Sequence, residues 1–511
     1  MKNLKTQFAL LFKATDPRYR PRPSVKEALR NPKILLREVL AGLVVALALI
    51  PEAISFSILA GVDPRVGLFS SFVMAITTSI LGGRPAMISA ATGAVALVIA
   101  PVARDYGLDY FLATVVLAGI FQLLLAAMGA AKLMRFIPRS VMIGFVNSLA
   151  ILIFLAQLPH LLGVPLAVYF LVALGILVMV FMPKLTRVIP APLVAIVLVT
   201  AIVLLTAIQV PRVGDEGELP QTLPELLIPD VPINLETFNI IAPYALAMAL
   251  VGLLESLMTA KLVDEITDTH SHKTRESFAQ GVGNVLSGIF GGMGGCAMIG
   301  QTMINVKASG ARTRISTFLA GVFLLLLVVG LGDLVAQVPM AALVAVMVMV
   351  SVGTFNWHSI LPKTLARMPK SETAVMLATV AVVVYSHNLA IGVIVGVVFA
   401  MVAFARRVAH FASVTRTVGG SGQTAAALYT VEGELFFASS NDLTTMFEYS
   451  EDPKNIVIDV TNSHFWDAST IAAIDSITEK YEGLGKSVYI RGMNEASKKL
   501  HTRLAGTFMN E

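Results

Sequence analysis

Two acidic side chains and one hydroxyl, Glu52, Glu255 and Thr92, lie inside runs of residues that water would reject. Glu255 falls in the apolar run Ala247–Thr259. An ionised, unpaired carboxylate at that depth costs about 3 kcal/mol or more, so it must be protonated or paired. Thr259, one turn on, shares its helical face. A Glu whose charge is disfavoured by burial is a good proton carrier; its other use would be as a hydrogen-bond partner for another helix. Glu52 sits in Pro51-Glu52-Ala53-Ile54-Ser55-Phe56, where helical spacing puts Phe56 on the same face. Beside an anion its charge would repel, so Glu52 either carries a proton or points away and braces its helix.

Thr92 belongs to a polar interruption, Gly82-Gly83-Arg84-Pro85-Ala86-Met87-Ile88-Ser89-Ala90-Ala91-Thr92-Gly93-Ala94, behind the apolar run Val66–Leu81. The next apolar run, Val95–Val102, is too short to cross a bilayer as a helix, which takes about 20 residues. Irregular backbone at membrane depth is tolerated only against protein or a wet cavity. The pattern predicts a half-helix beginning near Ala90, with free N–H groups at a start that favours an anion. A counterpart follows in the second half, Gly291-Gly292-Met293-Gly294-Gly295-Cys296-Ala297-Met298-Ile299-Gly300-Gln301-Thr302-Met303. Matching interruptions in two halves of a chain point to a transporter's substrate site, although Gly and Ala clusters also serve close helix packing. A nucleotide-binding reading fails, because Gly281–Gly300 has no Gly-Lys-Ser/Thr ending and no preceding strand pattern.

The elements that must position these residues are membrane spans. The chain has 511 residues, 56% hydrophobic and only 14% charged, with a mean hydropathy of +0.77, which marks a polytopic membrane protein. The net charge of +5 sits in short loops, a topology signal rather than a nucleic-acid footprint. Apolar segments fall near 38–59, 66–81, 94–102, 111–131, 139–158, 166–182 and 189–209, and then near 238–262, 279–290, 297–306, 315–335, 338–356, 373–387 and 389–405. Seven per half is odd, so the halves would lie in opposite orientations as an inverted repeat. Lys5, Lys13, Arg18, Arg20, Arg22, Lys26, Arg30 and Lys33 should keep the N-terminal segment 1–37 in the cytoplasm. Lys132/Arg135/Arg139, Lys184/Arg187, Lys307/Arg312/Arg314, Lys363/Arg367/Lys370 and Arg406/Arg407 mark the same side, and the acidic connection Pro211–Glu236 the other. The basic, polar start carries no apolar core ahead of a cleavage site, so no signal peptide is expected.

The transmembrane region is expected over 38–417. At Val418-Gly419-Gly420-Ser421-Gly422 a short linker (418–424) should lead to a small α/β domain at 425–511. Its pattern predicts strands at Ala425–Val431, Leu435–Phe437, Asn455–Val460 and Ser487–Ile490, and helices at Asp442–Glu448 and Glu495–Leu504. A further helix should start at Asp467-Ala468-Ser469-Thr470 and bury Ile471, Ile474, Ile477 and Tyr481. Cys296 is the single cysteine, which excludes an internal disulfide and any multi-cysteine metal site. His270 and His272 lie in a polar basic loop without a third firm ligand, so no metal is expected there.

With these motifs in hand, the chain resembles the SulP anion permeases, the sulfate permeases of solute-carrier family 26, over nearly its whole length. The resemblance rests on Pro51–Phe56, on Pro85-Ala86-Met87-Ile88-Ser89-Ala90-Ala91-Thr92-Gly93 and on Gly295-Cys296-Ala297-Met298-Ile299-Gly300-Gln301-Thr302, with a C-terminal region similar to the family's STAS domain. It implies about fourteen segments in a 7+7 inverted repeat, with core and gate, elevator-like alternating access and a homodimer. No cofactor is implied. The substrate pocket would use Glu52 and Phe56, Ala91, Thr92 and Gly93, and Ala297, Met298 and Ile299. Relatives commonly have small or hydroxylated residues at the last two positions, which leaves backbone amides and Thr92 as the main donors here. The position of Glu255, with Thr259, is linked in the family to cation coupling. Ser469 matches the place where related antagonist domains are phosphorylated, and Asp467 or Ser469 is equally an ordinary helix N-cap.

The expected function is secondary active transport, not enzymatic chemistry. A small anion such as sulfate, bicarbonate or a carboxylate would move with a proton, or with sodium, across a bacterial-type inner membrane, with both termini cytoplasmic. The cytoplasmic domain would be free to bind a protein partner. Rivals are an uncoupled anion exchanger or channel, a signalling protein worked by its C-terminal domain, and a nucleobase permease, which shares the 7+7 architecture but lacks a STAS domain.

Overall fold

The computed structural model describes residues 24–129, 137–185, 191–386, 388–409, 413–419 and 425–505. The basic stretch up to residue 23, Lys132, Arg135, Arg187, residues 420–424 of the expected linker and residues 506–511 lie outside these. Contacts divide the chain into two compact units, one ending at Val397 and one beginning at Val398.

In the first unit, helices succeed one another where the apolar runs predict them: α1 Pro32–Ala60, α2 Pro64–Leu81, α3 Gly93–Tyr106, α4 Leu108–Ala127, α5 Arg139–Leu155, α6 Leu166–Leu185 and α7 Ala191–Thr206. The second half repeats the series with α8 Leu235–Thr267, α9 Lys273–Ile289, α10 Ile299–Met303, α11 Arg314–Gly330, α12 Met340–Thr354, α13 Lys370–Ser386 and α14 Leu389–Ala409, the last crossing into the second unit. Local chemistry sets the ends. Asn31 accepts from the Lys33 N–H at 3.1 Å with Pro32 behind it, and Gly61 closes α1 at φ +76°, a left-handed value that glycine adopts without strain. Helices α1 and α8 are the longest, 29 and 33 residues, and each carries an internal proline, Pro51 and Pro243.

Seven of the described helices are long and apolar enough to cross a bilayer, and α7, α11 and α12 are shorter apolar ones. Only 22% of the most apolar stretch of α6 and 28% of that of α14 is buried, so these two turn Leu177, Phe181 and Ile394 outward as lipid-facing surface. The interior closes on Val45, Leu49, Ile54, Leu68, Ile99 and Met248.

The half-helices begin later than the sequence predicts. Residues Ser89–Ala90 form a two-residue strand, β1, paired antiparallel with β2, Cys296–Ala297, in the register Ser89↔Ala297 and Ala90↔Cys296. Antiparallel pairing is what a two-fold relation between the repeats brings about. Ala90 is held in this ladder, so α3 cannot start until Thr92 caps it, and α10 starts after Met298. Helix α10 runs on as a π-helical turn, Ile304–Ala308.

The second unit is a four-stranded sheet in the order β3-β4-β5-β6: Ser413–Gly419, Ala426–Leu435, Asn455–Phe465 and Ser487–Arg491. Strand β3 runs antiparallel to β4, while β4, β5 and β6 are parallel. Helix α16, Ala468–Gly483, buries Ile471, Ile474, Ile477 and Tyr481 completely, as its spacing predicts. Three expectations fail here. The strand continues unbroken to Leu435 and Phe437 opens helix α15, Phe437–Leu443, because Ser439 caps the turn by accepting the Phe436 N–H at 3.0 Å. The helix expected at 442–448 therefore lies earlier, and the chain turns after Leu443. Residues 413–419, expected as the end of the transmembrane region (to 417) and the start of the linker (418–424), pair with β4 as its edge strand. Helix α17, Glu495–Leu504, closes the described fold.

Candidate functional site

Thr92 takes extended backbone and its Oγ1 accepts the Val95 N–H at 3.4 Å, while its carbonyl accepts the Ala96 N–H. That leaves the Gly93 and Ala94 N–H groups at the open first turn of α3, where no intrahelical acceptor exists. On the other side Met298 donates to the Ile88 carbonyl at 2.9 Å and Thr302 to the Met298 carbonyl. The Ile299 and Gly300 N–H groups stand at the equivalent turn of α10. A buried polar frame fixes this meeting point. Asn284 on α9 accepts the Gly295 N–H at 2.7 Å and donates to Gln122 of α4, Ser256 of α8 accepts the Ala297 N–H, and Ser71 of α2 accepts the Ala91 N–H.

A cavity of about 400 Å³ opens at the two helix starts. Of the residues singled out in the sequence, Glu52, Phe56, Thr92, Gly93, Met298, Ile299 and Glu255 line it. Ala91, Ala297 and Thr259 do not. The two alanines are buried behind the wall, and the Thr259 hydroxyl donates to the Glu255 carbonyl at 2.8 Å, within its own helix. Phe145, Leu149 and Ile153 of α5, with Val350 and Thr354 of α12, form the facing wall. No lysine or arginine lines the cavity among the described residues.

Three residues at the site escape sequence reasoning: Cys296, Gln301 and Met258. Cys296 Sγ lies 2.9 Å from Glu255 Oε2 and 3.1 Å from Thr92 Oγ1. The single thiol hydrogen goes to the carboxylate, so the Thr92 hydroxyl donates to sulfur and is already engaged. Gln301 lines the cavity together with Glu52. Met258, on the same helix as Glu255, adds an apolar thioether. Glu52 thus faces the cavity rather than bracing a distant helix. Elsewhere, His272 caps α9 by accepting the Arg275 N–H on Nδ1, and Asp467, not Ser469, caps α16 through the Thr470 N–H; Ser469 is exposed.

The model of the sulfate permease family matches residues 35–168 and 166–379. The chain belongs to the sulfate permease family. A STAS-domain model matches residues 421–508. The chain is 50% identical over 469 residues to a putative sulfate transporter, YbaR of Bacillus subtilis, covering 92% of this chain and 97% of that one. It is 26% identical to a bicarbonate transporter, BicA of Picosynechococcus, covering 89% and 88%. Among solved structures, the transmembrane domain of a cyanobacterial bicarbonate transporter BicA superposes with a TM-score of 0.63 at 25% identity, over 70% of this chain and 98% of that one. The murine solute carrier 26 family member A9 anion transporter, in its inward-facing state, superposes at 0.81 over 99% and 94%. At 16% identity that likeness concerns the fold alone. The chain is therefore a multi-pass membrane protein of an anion-transporter family, built as a helical inverted repeat with a C-terminal STAS domain.

Proposed function

We propose that this chain is a proton-coupled secondary transporter of a small anion, in the class of sulfate, bicarbonate and carboxylates, held at the paired starts of α3 and α10. The observation that carries this reading is a cavity that gathers two helix starts and two buried carboxyl side chains, Glu52 and Glu255, with no lysine or arginine in its wall among the described residues. Helix starts favour an anion. Two acids beside an anion must give up their charge, and the proton that neutralises Glu255 is the one that travels with the substrate. The names of the relatives, sulfate and bicarbonate transporters, support the class of cargo.

Glu52, Phe56, Thr92, Gly93, Met298 and Ile299 form the binding wall, with Ala91 and Ala297 setting the backbone behind it. Glu255 is the coupling group and Thr259 steadies its turn. The binding side comes from α1, α3, α8 and α10 and the facing side from α5 and α12. Sliding of one set of helices past the other is the elevator step. The protein works as a homodimer in the inner membrane, termini in the cytoplasm, with Ser469 on the exposed start of α16 as the regulatory position.

The test is uptake into proteoliposomes with an imposed pH step. Glu255→Gln loses at least tenfold of gradient-driven accumulation while anion exchange at equal pH persists. Accumulation equal to wild type, or uptake that follows sodium alone, overturns proton coupling.

A further inference from the structure

We infer that the anion this cavity takes is an amphipathic organic monocarboxylate, a carboxylate with an apolar tail of several carbons, and not an inorganic oxyanion. This rests on the reading of the cavity as the anion site.

Size is the first observation. The cavity holds about 400 Å³, whereas a tetrahedral or planar oxyanion has roughly the volume of two waters, ~60 Å³. A space of several hundred Å³ suits a small organic molecule. The distribution of polarity is the second. The groups able to meet a charge come mainly from one side, the Gly93 and Ala94 N–H groups on α3, Gln301, and the acids Glu52 and Glu255, with the Thr354 hydroxyl of α12 the one polar side chain of the facing wall among the described residues. The α5 wall opposite, Phe145, Val146, Leu149 and Ile153, offers no side-chain polar atom, and Met258 and Met298 extend the apolar lining. A strongly hydrated oxyanion in this space would face hydrocarbon with most of its acceptors unpaired, at a cost the few donors cannot return. The Thr92 hydroxyl, the one other donor near α3, is bonded to Cys296. The third observation is charge. With two carboxyl side chains and no lysine or arginine in the wall among the described residues, a second negative charge on the ligand would find no partner. A carboxylate head at the α3 start with a tail across to α5 satisfies all three.

The experiment is calorimetric binding to the full chain in lipid nanodiscs at pH 7.5, with empty nanodiscs as the partition control. The probes are acetate, butyrate, hexanoate and octanoate beside sulfate and bicarbonate. Each added methylene should tighten Kd about fourfold, as burial of one CH2 does, and hexanoate should outbind both inorganic anions. Leu149→Ser should weaken octanoate more than acetate. A flat series, or sulfate or bicarbonate binding more tightly than any carboxylate, overturns the inference. Gly93→Val separates this failure from the failure of the cavity reading, because a Cβ at Gly93 lies 2.8 Å from Phe56 and 3.3 Å from Ile153 and the branched side chain would fill the site. If a folded Gly93→Val protein binds every probe as wild type does, the cavity is not the anion site and both readings fall. If it binds none while sulfate outbinds hexanoate in wild type, only the substrate class is wrong.

Discussion

Cys296 Sγ donates to Glu255 Oε2 across 2.9 Å and receives the Thr92 hydroxyl across 3.1 Å. One thiol thus links α8 to the capping residue of α3, through a strand that belongs to the other repeat. Cys296 itself is fully buried, so on the sulfur side neither bond can be replaced by water. Cys296→Ser keeps a donor of similar shape. Cys296→Val removes it and leaves a buried acceptor short of a partner, which costs about 1–3 kcal/mol. Thermal unfolding in detergent should place the Val variant well below wild type and the Ser variant close to it. Equal midpoints for Val and wild type would mean the thiol is not bonded to Glu255.

Two further buried carboxylates pin the loops that carry the half-helices. Glu276 accepts the Gly83 N–H at 2.7 Å, the Arg84 N–H at 3.0 Å and Gln280 Nε2 at 2.9 Å, ahead of β1. Glu38 accepts the Arg312 and Thr313 N–H groups at 2.8 and 3.2 Å, behind α10. Each accepts backbone N–H groups from a loop that carries a half-helix. Glu276→Gln and Glu38→Gln should each destabilise by about 1–3 kcal/mol, and because they share no partner the double variant should lose the sum. A double variant no weaker than either single one would show that the two loops are not held independently.

The spans were readable because an apolar run of membrane length has few other uses, and the half-helices because Val95–Val102 is too short to be one. Thr92 was readable too, as a hydroxyl directly ahead of a helical run. The limit lies in what spacing encodes. Nothing near Cys296 in the chain says that it meets Glu255, 41 positions away, since that contact depends on how two repeats are folded together. Strands β1 and β2 are two residues each, too short for any periodicity to show, and they are what delays α3 from Ala90 to Gly93. In the α/β domain, Phe436-Phe437 carries strand propensity, but Ser439 turns the chain into α15 there. Side-chain capping overrode an aromatic pair.

Asp459, in β5, sets a pH dependence for the α/β unit. It accepts from the Thr461 hydroxyl at 2.6 Å, the Thr461 N–H at 3.0 Å and Arg491 Nε at 2.9 Å. These bonds, the Thr461 hydroxyl foremost, hold its carboxyl down at about 2, below the ordinary value of about 3.9. A carboxyl depressed in the folded state contributes its stability in full above the ordinary value and loses it as the pH falls from there through about 2. Thr461→Val removes the leading donor, so the Asp459 titration should move up toward 3.9 and the loss of its contribution should begin at higher pH. Carboxyl-carbon NMR titration reads this directly; an unmoved Asp459 in the variant would discount the Thr461 bond.

Two glycines of one tract should behave in opposite ways. A Cβ at Gly295 would stand 1.9 Å from the Ala90 carbonyl oxygen, a backbone atom fixed by the β1–β2 pairing that cannot move without undoing it. A Cβ at Gly300 meets nothing within 4 Å, and in the first turn of α10 alanine is the better helix former by up to about 1 kcal/mol. Gly295→Ala should therefore cost about 3 kcal/mol or more, enough to lower the thermal midpoint sharply or to prevent recovery of folded protein. Gly300→Ala should fold with a midpoint equal to or above wild type. The pair isolates the strand crossing from helix propensity, since both changes add the same methyl group five positions apart. Matching midpoints for the two variants would mean that Gly295 and Ala90 do not touch, and the half-helix starts would then lose the ladder that sets them face to face.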